Sequence, residues 1–247
     1  MTEKLFDAEQ VKRRTAQMGE APVRDEVRRR LEERLGEVKG ERDKVLRVTS
    51  EQFEAADAPY DVVVVDMVLP LVEDVPVFMV RCLQALRDDG LLLATTLGLE
   101  SFGEFRAAWA EAGEPRGHVV PLTDVREGGA LLQRLKLALP VVDRDVVTVT
   151  FPDFAHLYAS LRGHGVGNFS RSRSKGLVTP RKLRRMEVAY REMFGRADGR
   201  LPVTLEVVYL HGFKVGAGQP EAAKRGSGKV SLVRILEANG TDVPDIS

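Results

Sequence analysis

Asp66 is the residue whose type and position most suggest a ligand site. It follows four consecutive valines, Val62 to Val65, a run that is typical of a strand buried on both faces of a parallel sheet. The carboxyl ends of such strands line the ligand crevice of open α/β sheets. Asp66 is therefore either a pocket carboxylate, retained as a vestige, or an acid that caps a helix or lies on the surface, and the second interpretation is favoured.

A local excess of positive charge is the second feature that could carry function. The whole chain is neutral, with 37 basic and 37 acidic residues, but residues 162–200 hold eleven lysines and arginines against three acids. The central cations are Arg171, Arg173, Lys175, Arg181, Lys182, Arg184 and Arg185. We expect them to dock an acidic protein partner, since complementary charge raises association rates, although a solvated helix face explains the run about as well. Nucleic acid is disfavoured, because Phe169 alone lies nearby to stack on bases.

The histidines and the cysteine indicate no metal or redox centre. His118, His156, His164 and His211 lack the spacing of helical metal ligands, so we expect isolated histidines. Cys82 is the single cysteine, which excludes an intrachain disulfide. It lies in a predicted helix, where we expect it to pack as a small hydrophobic residue.

Hydrophobic patterns predict the elements that must position these residues. Apolar residues at spacings of four and three indicate an amphipathic helix over 22–38, and residues 44–49 alternate well enough for a short strand. A helix beginning near Pro76 is expected to end at Asp88 to Gly90. Its predicted buried stripe is Val77, Val80, Leu83 and Leu86. Further strands are predicted over 91–96, 146–151 and 203–210, and further helices over 101–112, 125–135, 153–163 and 180–194.

Several blocks of the chain resemble class I S-adenosylmethionine (SAM)-dependent methyltransferases. They are Leu5–Asp7 with Lys12–Arg14, Tyr60–Val64 with Leu71–Pro76, Leu86–Leu93, Ala189–Phe194 with Asp198–Gly199, and Tyr209–Phe213. The similarity is to the malonyl-carrier-protein O-methyltransferase (BioC) kind and, more closely, to the mitochondrial complex I assembly arginine hydroxylases. It implies an α/β fold with a truncated Rossmann-like class I methyltransferase sheet, in which helices flank parallel strands and the C-terminal strand is antiparallel. The expected segments are an N-terminal helical segment (1–40), a degenerate methyltransferase-like domain (41–230) with a helical insertion at 153–195, and a C-terminal tail (231–247).

The chain departs from this family where the family binds SAM. Family members carry a glycine-rich loop of the Asp-Leu-Gly-Cys-Gly-Thr-Gly type after the first strand, and an acidic residue that ends the second strand and holds the SAM ribose. This chain has neither, and Leu69-Pro70-Leu71 replaces the family's His-Trp pair. Gly-x-Gly triplets at 165–167, 216–218 and 226–228 lie near the C-terminal end. These departures predict a protein with no cofactor.

Two functions from different classes remain open. The favoured one is a methyltransferase-like protein that has lost SAM binding and serves as a protein-binding or assembly module. The alternative is an active SAM-dependent methyltransferase, malonyl-carrier-protein O-methyltransferase-like or a related protein-modifying enzyme. In that alternative, residues 44–57 form the donor site, either alone or together with a partner chain.

The missing first strand of the parent fold leaves one edge of the valine strand to be covered, since bare edges invite pairing with other chains. We predict that Lys44 to Thr49 fills the vacant place, and failing that, that a second subunit does so in a homodimer.

The predicted location follows from composition. No apolar run approaches the ~18 residues of a membrane span, and the N-terminus has no apolar segment of a secretory signal. The cytoplasm is favoured, with the mitochondrial matrix as the alternative.

Overall fold

The structure is a computed structural model that describes residues 6, 9, 22–38, 42–114, 119–163 and 178–216. The chain divides into two compact units, Met1–Val215 and Gly216–Ser247, and the elements below belong to the first. The helices are α1 (Pro22–Glu37), α2 (Val75–Ala85), α3 (Gly103–Glu111), α4 (Val125–Arg134), α5 (Phe154–Gly163) and α6 (Pro180–Phe194). The strands are β1 (Val45–Val48), β2 (Tyr60–Val65), β3 (Leu86–Leu97), β4 (Ala138–Phe151) and β5 (Leu201–Phe213).

The described strands form one mixed sheet in the order β1-β2-β3-β5-β4. The first three are parallel, whereas β5 is antiparallel to both of its neighbours. β4 therefore points the same way as the first three strands. The predicted α/β sheet, with parallel strands and an antiparallel C-terminal strand, is confirmed.

β1 occupies the place beside β2 that the sequence left vacant. It pairs with β2 in parallel and without a break, from Val45 opposite Val62 to Val48 opposite Val65. The prediction that residues 44–49 cover this edge is confirmed. β1 itself becomes the new edge strand of the sheet.

An apolar cluster lies on each face of the sheet. α1, α3, α5 and α6 contribute to one cluster, and α2 and α4 contribute to the other. Val62 to Val65 are at most 1% exposed and alternate between the two clusters, so β2 is buried on both faces, as predicted. Burial of each such side chain stabilises the fold by roughly 1.5–3 kcal/mol, which makes this strand the centre of the core.

The predicted apolar stripe of α2 is wrong. Val77 and Val80 are 57% and 44% exposed. The helix instead buries Phe78, Met79, Cys82 and Ala85. The helix begins at Val75, with Pro76 in its first turn as predicted and the Asp74 carboxylate accepting the N–H of Val77 as an N-cap. It ends at Ala85, before the predicted stop, because Leu86 is already in β3. The predicted stripe took every third residue, and such a series drifts by about 60° per step around a helix, whereas Phe78, Cys82 and Ala85 follow the i, i+4, i+7 spacing of one helix face.

Candidate ligand crevice and basic helix

Asp66 lies at the carboxyl end of β2 and is buried, with its side chain 5% exposed. Arg28 of α1 is its partner, and the Arg28 Nε donates to Asp66 Oδ2 at 3.2 Å. The second carboxylate oxygen, Oδ1, is buried and has no hydrogen-bond partner in the described part of the chain. The interpretation of Asp66 as a surface acid is therefore wrong, and its role as a pocket carboxylate stays a prediction.

Two further arginines of α1 reach β4 on the far side of the sheet. Arg30 donates to Asp145 at 3.0 Å, and Arg34 donates to Asp143 at 2.6 Å. The guanidinium of Arg34 also lies 3.7 Å above the ring centre of Tyr209. The hydrogen bond from Arg34 lowers the pKa of Asp143, whereas burial raises the pKa of Tyr209 to about 12. α1 is thus bound by its arginines both to the end of β2 and to β4, which is the edge strand on the far side of the sheet.

These contacts lie along a polar row that crosses four strands on the α1 face. Thr95 of β3 is opposite Tyr209 of β5, and Tyr209 is opposite Asp143 of β4. Asp66 is level with Thr95, because the residues that precede them are paired. The α1 face at the carboxyl end of β2, where a ligand crevice was one of the two interpretations of Asp66, is therefore covered by arginines of the chain itself. The sequence analysis missed them, although two arginines four residues apart on one helix face were the available signal.

The residues near β1 and β2 do not fit SAM as class I methyltransferases hold it. Residues 49–59 connect β1 to β2 without a helix and contain no glycine. No helix N-terminus, the usual source of backbone N–H donors for an anionic group, follows β1. After β2 comes a single turn of buried apolar residues, Leu69–Leu71.

A second buried carboxylate, Glu206 of β5, lies on the opposite face and was missed. It is 3% exposed. Its Oε2 accepts the backbone N–H of Glu100 at 2.9 Å, and its Oε1 pairs with Arg144 at 3.0 Å. A Cβ on Gly98 would lie 2.3 Å from the Glu206 carboxyl group. A glycine at position 98 is thus needed to make room for a charged side chain that lies far away in the sequence.

The basic segment is only partly described. Arg171, Arg173 and Lys175 lie outside the described residues. Lys182 forms an ion pair with Glu114. The remaining three cations, Arg181, Arg184 and Arg185, are exposed on α6 and have no ion-pair partner in the described ranges. Their helix begins with Thr179 as N-cap and buries its other face, so the cationic face is presented by a rigid element.

The other candidate groups behave as structural residues. Cys82 is fully buried, and burial raises the pKa of its thiol to about 12, which confirms its packing role. Burial also lowers the pKa of His211. His156 bonds to Asp153 through Nδ1 at 2.8 Å. Across the described ranges there is no group of three His, Cys, Asp or Glu side chains that could hold a metal, and none of the helices there has the length and hydropathy to cross a bilayer.

The chain is similar in amino-acid sequence to known proteins. The chain is 31% identical over 176 residues to a malonyl-[acyl-carrier protein] O-methyltransferase of Halorhodospira halophila, covering 71% of this chain and 59% of that protein. It is 30% identical over 187 residues to the mitochondrial arginine-hydroxylase NDUFAF5 of Rattus norvegicus, covering 74% and 54%. The chain thus spans somewhat over half the length of the curated relatives it matches.

The comparison with family models gives no match, and the comparison with solved structures gives only weak structural similarity. No model of a known protein family matches the chain. The crystal structure of the YcgJ protein from Bacillus subtilis superposes with a TM-score of 0.42 at 12% identity, covering 68% of this chain and 69% of that one. On its sequence similarity, the chain is methyltransferase-like, and its strand order fits a Rossmann-like class I methyltransferase fold.

Proposed function

We propose that this chain is a protein-binding module of methyltransferase ancestry that does not bind SAM. The observation that supports the proposal is that residues of the chain itself occupy the region of the sheet where a methyl donor would bind. β1 pairs with β2, and no helix lies between the two strands in the chain. Arg28 binds the Asp66 carboxylate. The predicted location of the module is the cytoplasm, with the mitochondrial matrix as the alternative.

The physical argument concerns alignment. A methyltransferase works chiefly by holding the donor methyl group in line with the acceptor, so catalysis depends on a rigid site for the donor. Here the Arg28 guanidinium already neutralises the buried carboxylate that could face the cationic end of a ligand. A sulfonium donor would have to displace it and would gain no glycine-rich loop in return.

Calorimetric titration with SAM and with its demethylated product tests this proposal. We expect no heat of binding and no rise in melting temperature. A ligand present at 100 times its Kd would stabilise the native state by about 2.7 kcal/mol, which thermal unfolding detects. A micromolar Kd for either compound would overturn the proposal. Arg28→Ala is the informative variant, because binding that appears only in this variant would show that the arginine itself excludes the donor.

The alternative, an active methyltransferase, is favoured by one observation. Asp66 Oδ1 is buried without a hydrogen-bond partner in the described residues, which leaves one acceptor available to a ligand. In this case residues 44–57 and a partner chain complete the donor site. Transfer of a labelled methyl group from SAM to a protein or carrier-borne acceptor, abolished in Asp66→Ala but not in Asp143→Ala, would support it.

The exposed arginines of α6 are the proposed docking surface for an acidic protein partner. Attraction of this kind acts mainly on association rate and fades as salt shortens the Debye length to about 8 Å at physiological ionic strength. Reversing Arg181, Arg184 and Arg185 to glutamate should weaken partner capture strongly at low salt and less at high salt. Lys182 is left unchanged because it pairs with Glu114.

A matched variant separates local charge from net charge. Arg126, Arg134 and Lys136 are also exposed but lie outside the basic segment 162–200, and their reversal changes the total charge equally. We expect this control to capture the same acidic proteins from a lysate of the source cells as the wild type does. Equal capture by all three proteins at low salt would remove the α6 surface from the proposal.

A further inference from the structure

The two edges of the sheet differ in how they are protected. β1 has four residues and carries Arg47, which pairs with Glu32 of α1 at 2.6 Å. β4 has fourteen residues and, within the described part of the chain, pairs only with β5. Val141 and Val146 of β4 are 43% and 51% exposed. A long edge strand with exposed apolar side chains is a template for another strand.

The charged residues of β4 do not guard this edge, because each is engaged within its own chain. Asp143 and Asp145 accept hydrogen bonds from α1 on one face, and Arg144 pairs with Glu206 on the other. The strand then continues as Val-Val-Thr-Val-Thr-Phe over residues 146–151, without a charge or a proline. β-branched residues of this kind favour strand pairing.

We propose that β4 pairs antiparallel with β4 of a second copy of this chain, about a two-fold axis at Val146, so that one sheet continues across both copies. The occupant is a second copy because the strand can pair with itself over residues 141–151 without setting like charges opposite each other. This inference is independent of the proposed lack of SAM binding.

Charge and the length of the pairing together select the register. Residues directly opposite each other in an antiparallel pair lie on the same face of the sheet. The two-fold axis must therefore set one residue opposite the same residue of the second copy, and not opposite its neighbour in sequence. An axis at Arg144 or at Asp145 sets that charge opposite its own copy, and like charges placed so destabilise a pair. An axis at Val146 sets Arg144 opposite Thr148 of the second copy and opposes no like charges. Axes at Val142, Val147 or Thr148 also oppose no like charges, but they pair fewer residues of β4 than the axis at Val146, which pairs residues 141–151.

Cysteine crosslinking tests the proposal directly. Val146→Cys places two thiols opposite each other, at the Cα separation of about 4.5–5.5 Å that paired strands have and a disulfide accepts. Thr148→Cys is the matched control on the same face and the same exposed edge. In the proposed register its two thiols are offset by four residues, roughly 13 Å along the strand. Wild-type protein carrying only the buried Cys82 reports the background.

We expect dimer mass by light scattering for the wild type, and rapid disulfide-linked dimer for Val146→Cys but not for Thr148→Cys under mild oxidation. Val146→Lys should be monomeric, since only the dimer opposes two lysines. Because the side chain is half exposed, its melting temperature should equal that of wild type diluted until it is monomeric. A monomeric wild type at high micromolar concentration would overturn the proposal. Equal crosslinking of the two cysteine variants would also overturn it, because it contradicts the register.

Discussion

Asp66 and Glu206 are both buried carboxylates near the carboxyl edge of the sheet, but they are held in different ways. Glu206 has a partner for each oxygen, and Gly98 leaves the space that it fills. Asp66 has one oxygen bound by Arg28, whose side chain is 50% exposed, and one oxygen without a partner in the described residues. The comparison indicates that Glu206 is part of the framework. For Asp66, in contrast, we expect a smaller contribution to stability, because its one cationic partner is half exposed.

Gly98→Ala should have the largest effect on stability, since the added Cβ would clash with the Glu206 carboxylate. The new Cβ would displace the Glu206 carboxyl group from both of its partners. Overpacking together with a buried charge that loses its hydrogen bonds is expected to cost about 3 kcal/mol of unfolding free energy. Urea denaturation of the variant and the wild type measures this loss.

A double-mutant cycle identifies the cause of that loss. If the clash with Glu206 is responsible, Gly98→Ala should cost far less in a Glu206→Ala background, because neighbouring residues in one network are not additive. An equal cost in both backgrounds would place the strain in the backbone after β3 and would weaken the contrast with Asp66.

Paired amide substitutions give the next largest effect and test the comparison itself. Glu206→Gln leaves the shape but turns an N–H₂ group toward Arg144 or Glu100 N–H, and an unsatisfied buried group costs about 2 kcal/mol. Asp66→Asn loses a pair whose cation is half exposed, for which about 1 kcal/mol or less is expected. Chemical denaturation of both variants measures the two losses of unfolding free energy. A loss at Asp66 as large as that at Glu206 would contradict the distinction.

The smallest effect concerns Asp143, which lies at the exposed end of the polar row. Its pKa is lowered in the folded state by the hydrogen bond from Arg34. Its contribution is therefore fully present above the unfolded pKa of about 3.9 and is lost as pH falls through the lower folded value. Asp143→Asn should flatten the acid limb of the stability curve slightly. Unfolding free energies between pH 5 and pH 2.5 measure the difference, and identical acid limbs would exclude a role for the Arg34 contact.

The sequence predicted the features that depend on local pattern. The valine run specified a strand buried on both faces, and residues 44–49 were placed correctly beside it because a bare edge has to be covered. The start of β4 was missed by eight residues, since an edge strand with charges on both faces lacks the alternation that reveals strands. The buried face of α2 was misplaced because the prediction took every third residue instead of the i, i+4, i+7 series that the helix buries.

The candidate site was less predictable, since its contacts join distant parts of the chain. Asp66 was singled out, but Arg28, which pairs with it, had no local signature beyond a charged helix face. Gly98 and Glu206 look unremarkable in sequence. Only the fold shows that one makes room for the other.

The place of β5 between β3 and β4 has a consequence for synthesis of the chain. β4 is made first, yet its strand partner in the sheet is β5, so β4 has no paired edge until about residue 213 has left the ribosome. During that interval β3 also presents an open apolar edge, and such surfaces favour aggregation. A chain that ends before Leu201 should consequently fail to form the sheet, however complete its earlier elements are.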